Sequence, residues 1–252
     1  MCGREGSGMG ILRRSDDVGR TPAIDSPAVL TASTRLAELA ILRVKDGRGG
    51  VRAEDYITVL AALTGEAALV AAELFDIETT PMTPGAGVFG DGINVVLTGD
   101  VILTGDKPDI EKVRPDSVVG ILVEELVPAW VPLEAFRPLD ALYASVAANV
   151  GKAPWGQVTT SVAEEHQPHV IPLQVAFELR AAVDALQSDA GLPRTHRHVI
   201  CARALATGLK ETKAALDVTV AVTLALEVVF GMAKMVPMSK TAFDKVAKER
   251  AG

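Results

Sequence analysis

"VTVAVTLALEVVFGMAKMV", residues 218–236, reads in two opposite ways, and the choice between them decides the fold. Its first half alternates as a strand would, and its valines favour β structure. Yet Thr219, Thr223, Glu227 and Lys234 also recur at helical spacing, which leaves a narrow polar stripe on an otherwise apolar rod. The neighbouring segments carry helical periodicity, so we read 215–235 as a helix. A helix apolar nearly all round belongs in the centre of a bundle or against a partner subunit. Glu227 and Lys234, with Asp217 at the border, interrupt the run too often for a membrane span.

Working outward, helices are expected at 195–213 and 239–250, and Leu173, Ala176, Leu179, Val183 and Leu186 mark another amphipathic helix closed by "DAGLP". Helical patterns at 116–127 and 132–150 are separated by the prolines of "VPAWVP". Upstream, Tyr56, Val59, Leu60, Leu63, Ala67, Val70 and Leu74 form one apolar stripe, and helical spacing begins near Pro27. "KDGRGGVR", residues 45–52, breaks the chain between those two helices. "TTPMTPGAGVFGDG" and the twice-repeated "LTGD" of 93–109 read as a Gly-rich loop and a short extended pair. The expected fold is mainly α: a flexible N-terminal segment, 1–27, and a single-domain multi-helix bundle, 28–252, with a Gly-rich loop and a small β-hairpin near 80–108.

Composition narrows the function. The 252 residues are 48% hydrophobic and 23% charged, which suits a buried core, and a net charge of -7 opposes nucleic acid and anionic membrane surfaces. Two cysteines, Cys2 and Cys201, build neither a disulfide framework nor a CxxC knuckle, so a reducing cytoplasm is the expected compartment. The N-terminus lacks the apolar core of a secretory signal.

All four histidines fall within 166–198, beside Glu164, Glu165 and Cys201. Pro168 keeps "EEHQPH" out of a helix, and a loop can turn Glu165, His166 and His169 toward one point. Thr195 can cap a helix whose first turn holds His196 and His198, where the dipole favours the neutral imidazole that a metal ligand or general base requires. One expectation is therefore a divalent transition-metal site, such as zinc, on Glu165, His166, His169, His196 and His198. Another is a small-anion or substrate site in which Arg194, Arg197, Arg203 and the histidines surround a phosphate or carboxylate at a helix N-terminus. Either would support hydrolysis through an activated water, and both require the 164–169 loop to fold onto the start of the 195 helix.

The contrasting expectation is a non-catalytic helical protein that acts through a homo-oligomer or another protein partner, with the 218–236 helix in the interface and the histidines pointing apart. Weaker signals are set aside. "GAGVFG" matches GxGxxG but follows a loop rather than a strand, and the basic run 194–213 is too narrow for a nucleic-acid face. Cys201 reads as a core residue, and Trp130 and Trp155 as corner fillers beside prolines.

Overall fold

A computed structural model describes residues 25–74, 76–77, 79–80, 82–99, 113–136 and 139–244. Among the described residues, eight α-helices with both ends described follow in order: α1 (Pro27–Val44), α2 (Ala53–Ala71), α3 (Asp91–Thr98), α4 (Val118–Leu126), α5 (Leu139–Asn149), α6 (Pro172–Asp189), α7 (Arg197–Thr212) and α8 (Val218–Ala233). Short 3-10 turns lie at Leu133–Ala135, Glu164–His166 and Arg194–His196. Among the described residues there is no strand, only an isolated bridge between Gly87 and Met235.

The 218–236 segment is helical from Val218 to Ala233, and Ala221–Ala233 are all buried within the single chain. Asp217 caps it, its carboxylate accepting from the Thr219 and Val220 N–H groups at 2.8 and 3.3 Å. Its cover comes mainly from α2, which is buried at every residue from Glu54 to Ala71. That corrects the single-stripe reading of α2: the faces away from the large residues carry Ala61, Ala62, Gly65 and Ala68, which allow neighbours close on all sides. A Cβ at Gly65 would lie 2.4 Å from the Val229 carbonyl oxygen, and one at Gly208 of α7 would lie 2.5 Å from Leu60. Leu74, placed at the end of the stripe, lies beyond α2 and is exposed. Around this central pair, α7 and α6 pack against α2, α1 lies across α7 and α6, and α4 covers α7.

Buried charges on the central helices are matched by surrounding segments. Glu227 accepts from Ser161 N–H at 2.6 Å and Ser161 Oγ–H at 2.7 Å, and Val158 of the same strap fills the space over Gly231, one turn along. Lys234 Nζ donates to Asn94 Oδ1 at 2.5 Å and lies 5.6 Å from the Tyr143 ring centre. Burial lowers the Lys234 pKa, and nearby Asp91 opposes that shift.

The expected hairpin is not present where the chain is described. Residues 93–98, its proposed first strand, belong to α3, because Ile93 and Leu97 at i, i+4 share a fully buried face and tertiary packing outweighs β propensity. The remainder, 100–112, lies outside the described residues. The Gly-rich stretch is not a free excursion either: Gly85 and Val88 N–H donate to the Val236 and Lys234 carbonyls at 2.9 and 2.7 Å. At the N-terminus, 1–24 lies outside the described residues, while Ser26 caps α1 through Val29 N–H and Asp25 pairs with Arg203. The 239–250 helix is described over 240–244.

Candidate functional site

The loop bearing His166 and His169 docks on the N-terminus of α2. Arg52, just before that helix, donates to the Gln167 and Glu165 carbonyls at 2.7 and 2.6 Å. His166 Nδ1 lies 2.8 Å from Glu54 Oε1, and Asp55 Oδ1 accepts from the His169 and Val170 N–H groups at 2.6 and 3.3 Å. Burial pushes the Glu54 carboxyl up, but the His166 hydrogen bond, a backbone hydrogen bond and Arg52 outweigh it and hold the pKa below the ordinary value. The His169 side chain is 76% exposed and 4.0 Å from Asp55. Here the acidic residues work on the orphan backbone groups of a loop and a helix start.

The second histidine pair lies elsewhere. His196 is half-buried, with Nδ1 3.1 Å from Thr195 Oγ1. His198 is buried against the segment before α4 and donates Nε2–H to the Asp116 carbonyl at 2.9 Å, which leaves Nδ1 buried without a partner among the described residues. Burial brings its pKa down to about 4, despite the opposing Asp116 hydrogen bond. Cys201 is fully buried, and burial pushes its thiol up to about 12, the setting of a core residue rather than a nucleophile.

The expected meeting of the 164–169 loop with the start of α7 does not occur, because α2 and α7 run antiparallel. Tyr56 at the beginning of α2 donates to Glu211 Oε2 at 2.7 Å, at the far end of α7. Val70, at the other end of α2, borders a cleft with Arg194 and Arg197. Glu54 and Val70 are sixteen residues apart on one helix, a span of about 24 Å at the α-helical rise. Glu165, His166 and His169 therefore lie at one end of the bundle, with His196 and His198 at the other. Among the described residues, no three His, Cys, Asp or Glu side chains gather as a metal site requires.

The three arginines also divide. Arg203 is buried between Glu125 of α4 and Asp25, and Lys210 Nζ reaches the other Glu125 oxygen at 2.5 Å, so this cluster ties α7 to α4 and to the approach to α1. It also takes up much of the positive charge that gave 194–213 its basic character. Arg194 and Arg197 border one cleft of about 480 Å³ together with Arg180, Asp184 and Gln187 of α6 and Val70 of α2. Asp76 and Ile77 close its remaining side. Behind the cleft, Arg180 grips Glu66 with two hydrogen bonds, 2.7 and 3.0 Å, the carboxylate being only 2% exposed. Arg197 donates one terminal nitrogen to Asp184 and points the other at the Arg180 carbonyl, 3.4 Å away. Its Nε is buried with no hydrogen-bond partner among the described residues. Arg194 is exposed and forms no ion pair with any described residue.

Arg180, Asp184 and Glu66 were missed from the sequence, although the signal was there. Arg180, Asp184 and Gln187 recur at i, i+4, i+7 on α6, a polar face as regular as the apolar one that defined the helix. A second cavity, about 270 Å³, is bordered by Gly85, Ala86, Pro154, Trp155 and Met235 and carries no charged lining residue. "GAGVFG" does precede helix α3, but its Gly85 and Val88 N–H groups are already bonded to the end of α8 and Asp91 sits in the first turn, which opposes a pyrophosphate. No helix among the described residues is long and apolar enough to cross a membrane. Comparison with family models, curated proteins and solved structures finds no match, so the site is read from its own chemistry.

Proposed function

We propose that the cleft between α6 and the start of α7 binds a small anionic ligand. The observation that carries this reading is the convergence of Arg180, Arg194 and Arg197 on one open cleft of about 480 Å³. Arginine's planar fork suits a carboxylate or phosphate, and charge-assisted hydrogen bonds are the stronger kind. The cleft is large enough for a ligand of metabolite size. Arg180 is held by Glu66 and shapes the wall, so the contacts fall to Arg194 and Arg197. Val70 and Ile77 give the ligand's hydrocarbon portion an apolar surface. Arg203 is not part of this site, being held by Glu125 and Asp25.

The reading is one of binding, with no reaction step assigned to it. The test is calorimetric titration of the full chain, in a buffer free of phosphate and carboxylates, with inorganic phosphate and with succinate. Saturable binding that Arg194→Ala weakens at least about tenfold, the loss of one charge-assisted contact, is the expected result. Binding that survives Arg194→Ala unchanged places the ligand elsewhere. The homo-oligomer expectation rested on an uncovered α8, and α8 is covered by its own chain.

A further inference from the structure

We infer that Asp184 occupies one of the ligand's two charge positions in the unliganded cleft and thereby sets a preference for dianions over monoanions. This rests on the anion-binding reading above. The Arg197 and Asp184 side chains, though paired, differ sharply in exposure, at 6% and 54%. A guanidinium buried to that degree needs a counter-charge at all times, since an unpaired buried ion is strongly destabilising. An exposed carboxylate does not, because water solvates it well when it swings away. Arg197 is thus fixed in place and Asp184 is replaceable.

The exchange has a simple consequence. A monoanion that displaces Asp184 swaps one carboxylate for another and gains little. A dianion keeps Arg197 paired and also reaches Arg194, which lines the same cleft and has no ion pair with a described residue. Only the second contact is new, so only the dianion profits from it. The ligand class is a compact dianionic head, a phosphoryl group or a pair of carboxylates, joined to a body that can rest on Val70 and Ile77.

The experiment compares dissociation constants for inorganic phosphate, succinate and acetate, at mildly alkaline pH, in the wild-type chain, D184N and R194Q. In the wild type, phosphate or succinate should bind at least about tenfold more tightly than acetate. D184N removes the internal competitor, so acetate should tighten about tenfold and the preference should shrink. R194Q should erase the preference by weakening phosphate and succinate to the level of acetate, and it decides the matter even where D184N fails to fold. The inference is overturned if D184N binds acetate no better than the wild type does, or if R194Q keeps the preference. If no anion binds any of the chains, the cleft reading itself fails and the inference goes with it. Wild-type binding with no effect of D184N removes the inference alone.

Discussion

At one end of α2, Glu54 and Asp55 face the 164–170 loop; at the other, Val70 faces the arginine cleft. Both ends bring charged side chains from α2 or its neighbours against a chain segment 100 or more positions away. At the first end every charge is taken up within the chain: Arg52 takes two carbonyls and pairs with Glu54 at 3.3 Å, Glu54 also holds His166, and Asp55 takes two N–H groups. A loop carbonyl or amide has no other use once bonded, so that end is a clasp. At the second end, charges meet charges across open space, and one carboxylate of a pair lies half in water. The lesson is that clustering of ionisable residues marks a site only where some donors retain room for a partner from outside.

The largest effect should come from cutting the support behind the cleft. Glu66→Ala removes the buried carboxylate that takes two charge-assisted hydrogen bonds from Arg180 and should lower unfolding free energy by about 3–5 kcal/mol in urea titrations. A loss no greater than that of an exposed ion pair would show that the cleft end is no more built than the clasp end.

Acid should separate the two ends next. The His198 pKa is lowered from 6.5 to about 4, so the unfolded chain takes up a proton that the folded chain refuses. Stability should therefore fall as pH drops from 6.5 toward 4, by up to about 3 kcal/mol, and a His198→Gln chain should lack that slope. Glu54 at the clasp has a pKa below its ordinary 4.5, so its contribution persists above 4.5 and is lost only as pH falls through the lower folded value. Identical pH profiles for wild type and His198→Gln would refute the assignment.

A smaller change is expected on loosening the clasp. Asp55→Ala removes the acceptor of two loop N–H groups and should cost about 2 kcal/mol, with faster hydrogen exchange at His169 and Val170 and unchanged phosphate affinity. Altered phosphate affinity would couple the two ends and blur the distinction. The smallest stability effect belongs to Arg194→Ala, within about 0.5 kcal/mol in the absence of ligand, because an exposed side chain with no ion partner among the described residues supports little of the fold. A large loss of stability there would make Arg194 a structural residue.

Much of the helical content was legible because apolar periodicity is local. The spacing of Leu173, Ala176, Val183 and Leu186 marked α6, and the spacing of Thr219, Thr223 and Glu227 correctly read as helical register rather than strand alternation. The misreading of 93–98 has a matching cause: Ile93, Val95 and Val96 favour a strand by themselves, and only the buried contacts of Ile93 and Leu97 make helix the better state. Of the residues that border the proposed anion cleft, Arg194 and Arg197 stood out in the sequence from their place before and at a helix start. Arg203 was grouped with them because it shares their sequence neighbourhood, but its place farther along α7 brings it to Glu125 and Asp25.

By itself, the sequence determined that this chain is mainly helical, that 215–235 reads as an apolar helix needing cover, and that ionisable residues crowd 164–203. Those properties follow from side-chain spacing within a turn or two, where 3.6-residue geometry suffices. The tertiary structure decided which of those residues meet. The antiparallel placement of α2 against α7 puts the two histidine segments toward opposite ends of α2 and brings Arg180 and Asp184 beside Arg194 and Arg197 instead. That choice depends on close packing between helices distant in sequence, as at Gly208 of α7 against Leu60 and Tyr56 of α2, which local periodicity does not encode.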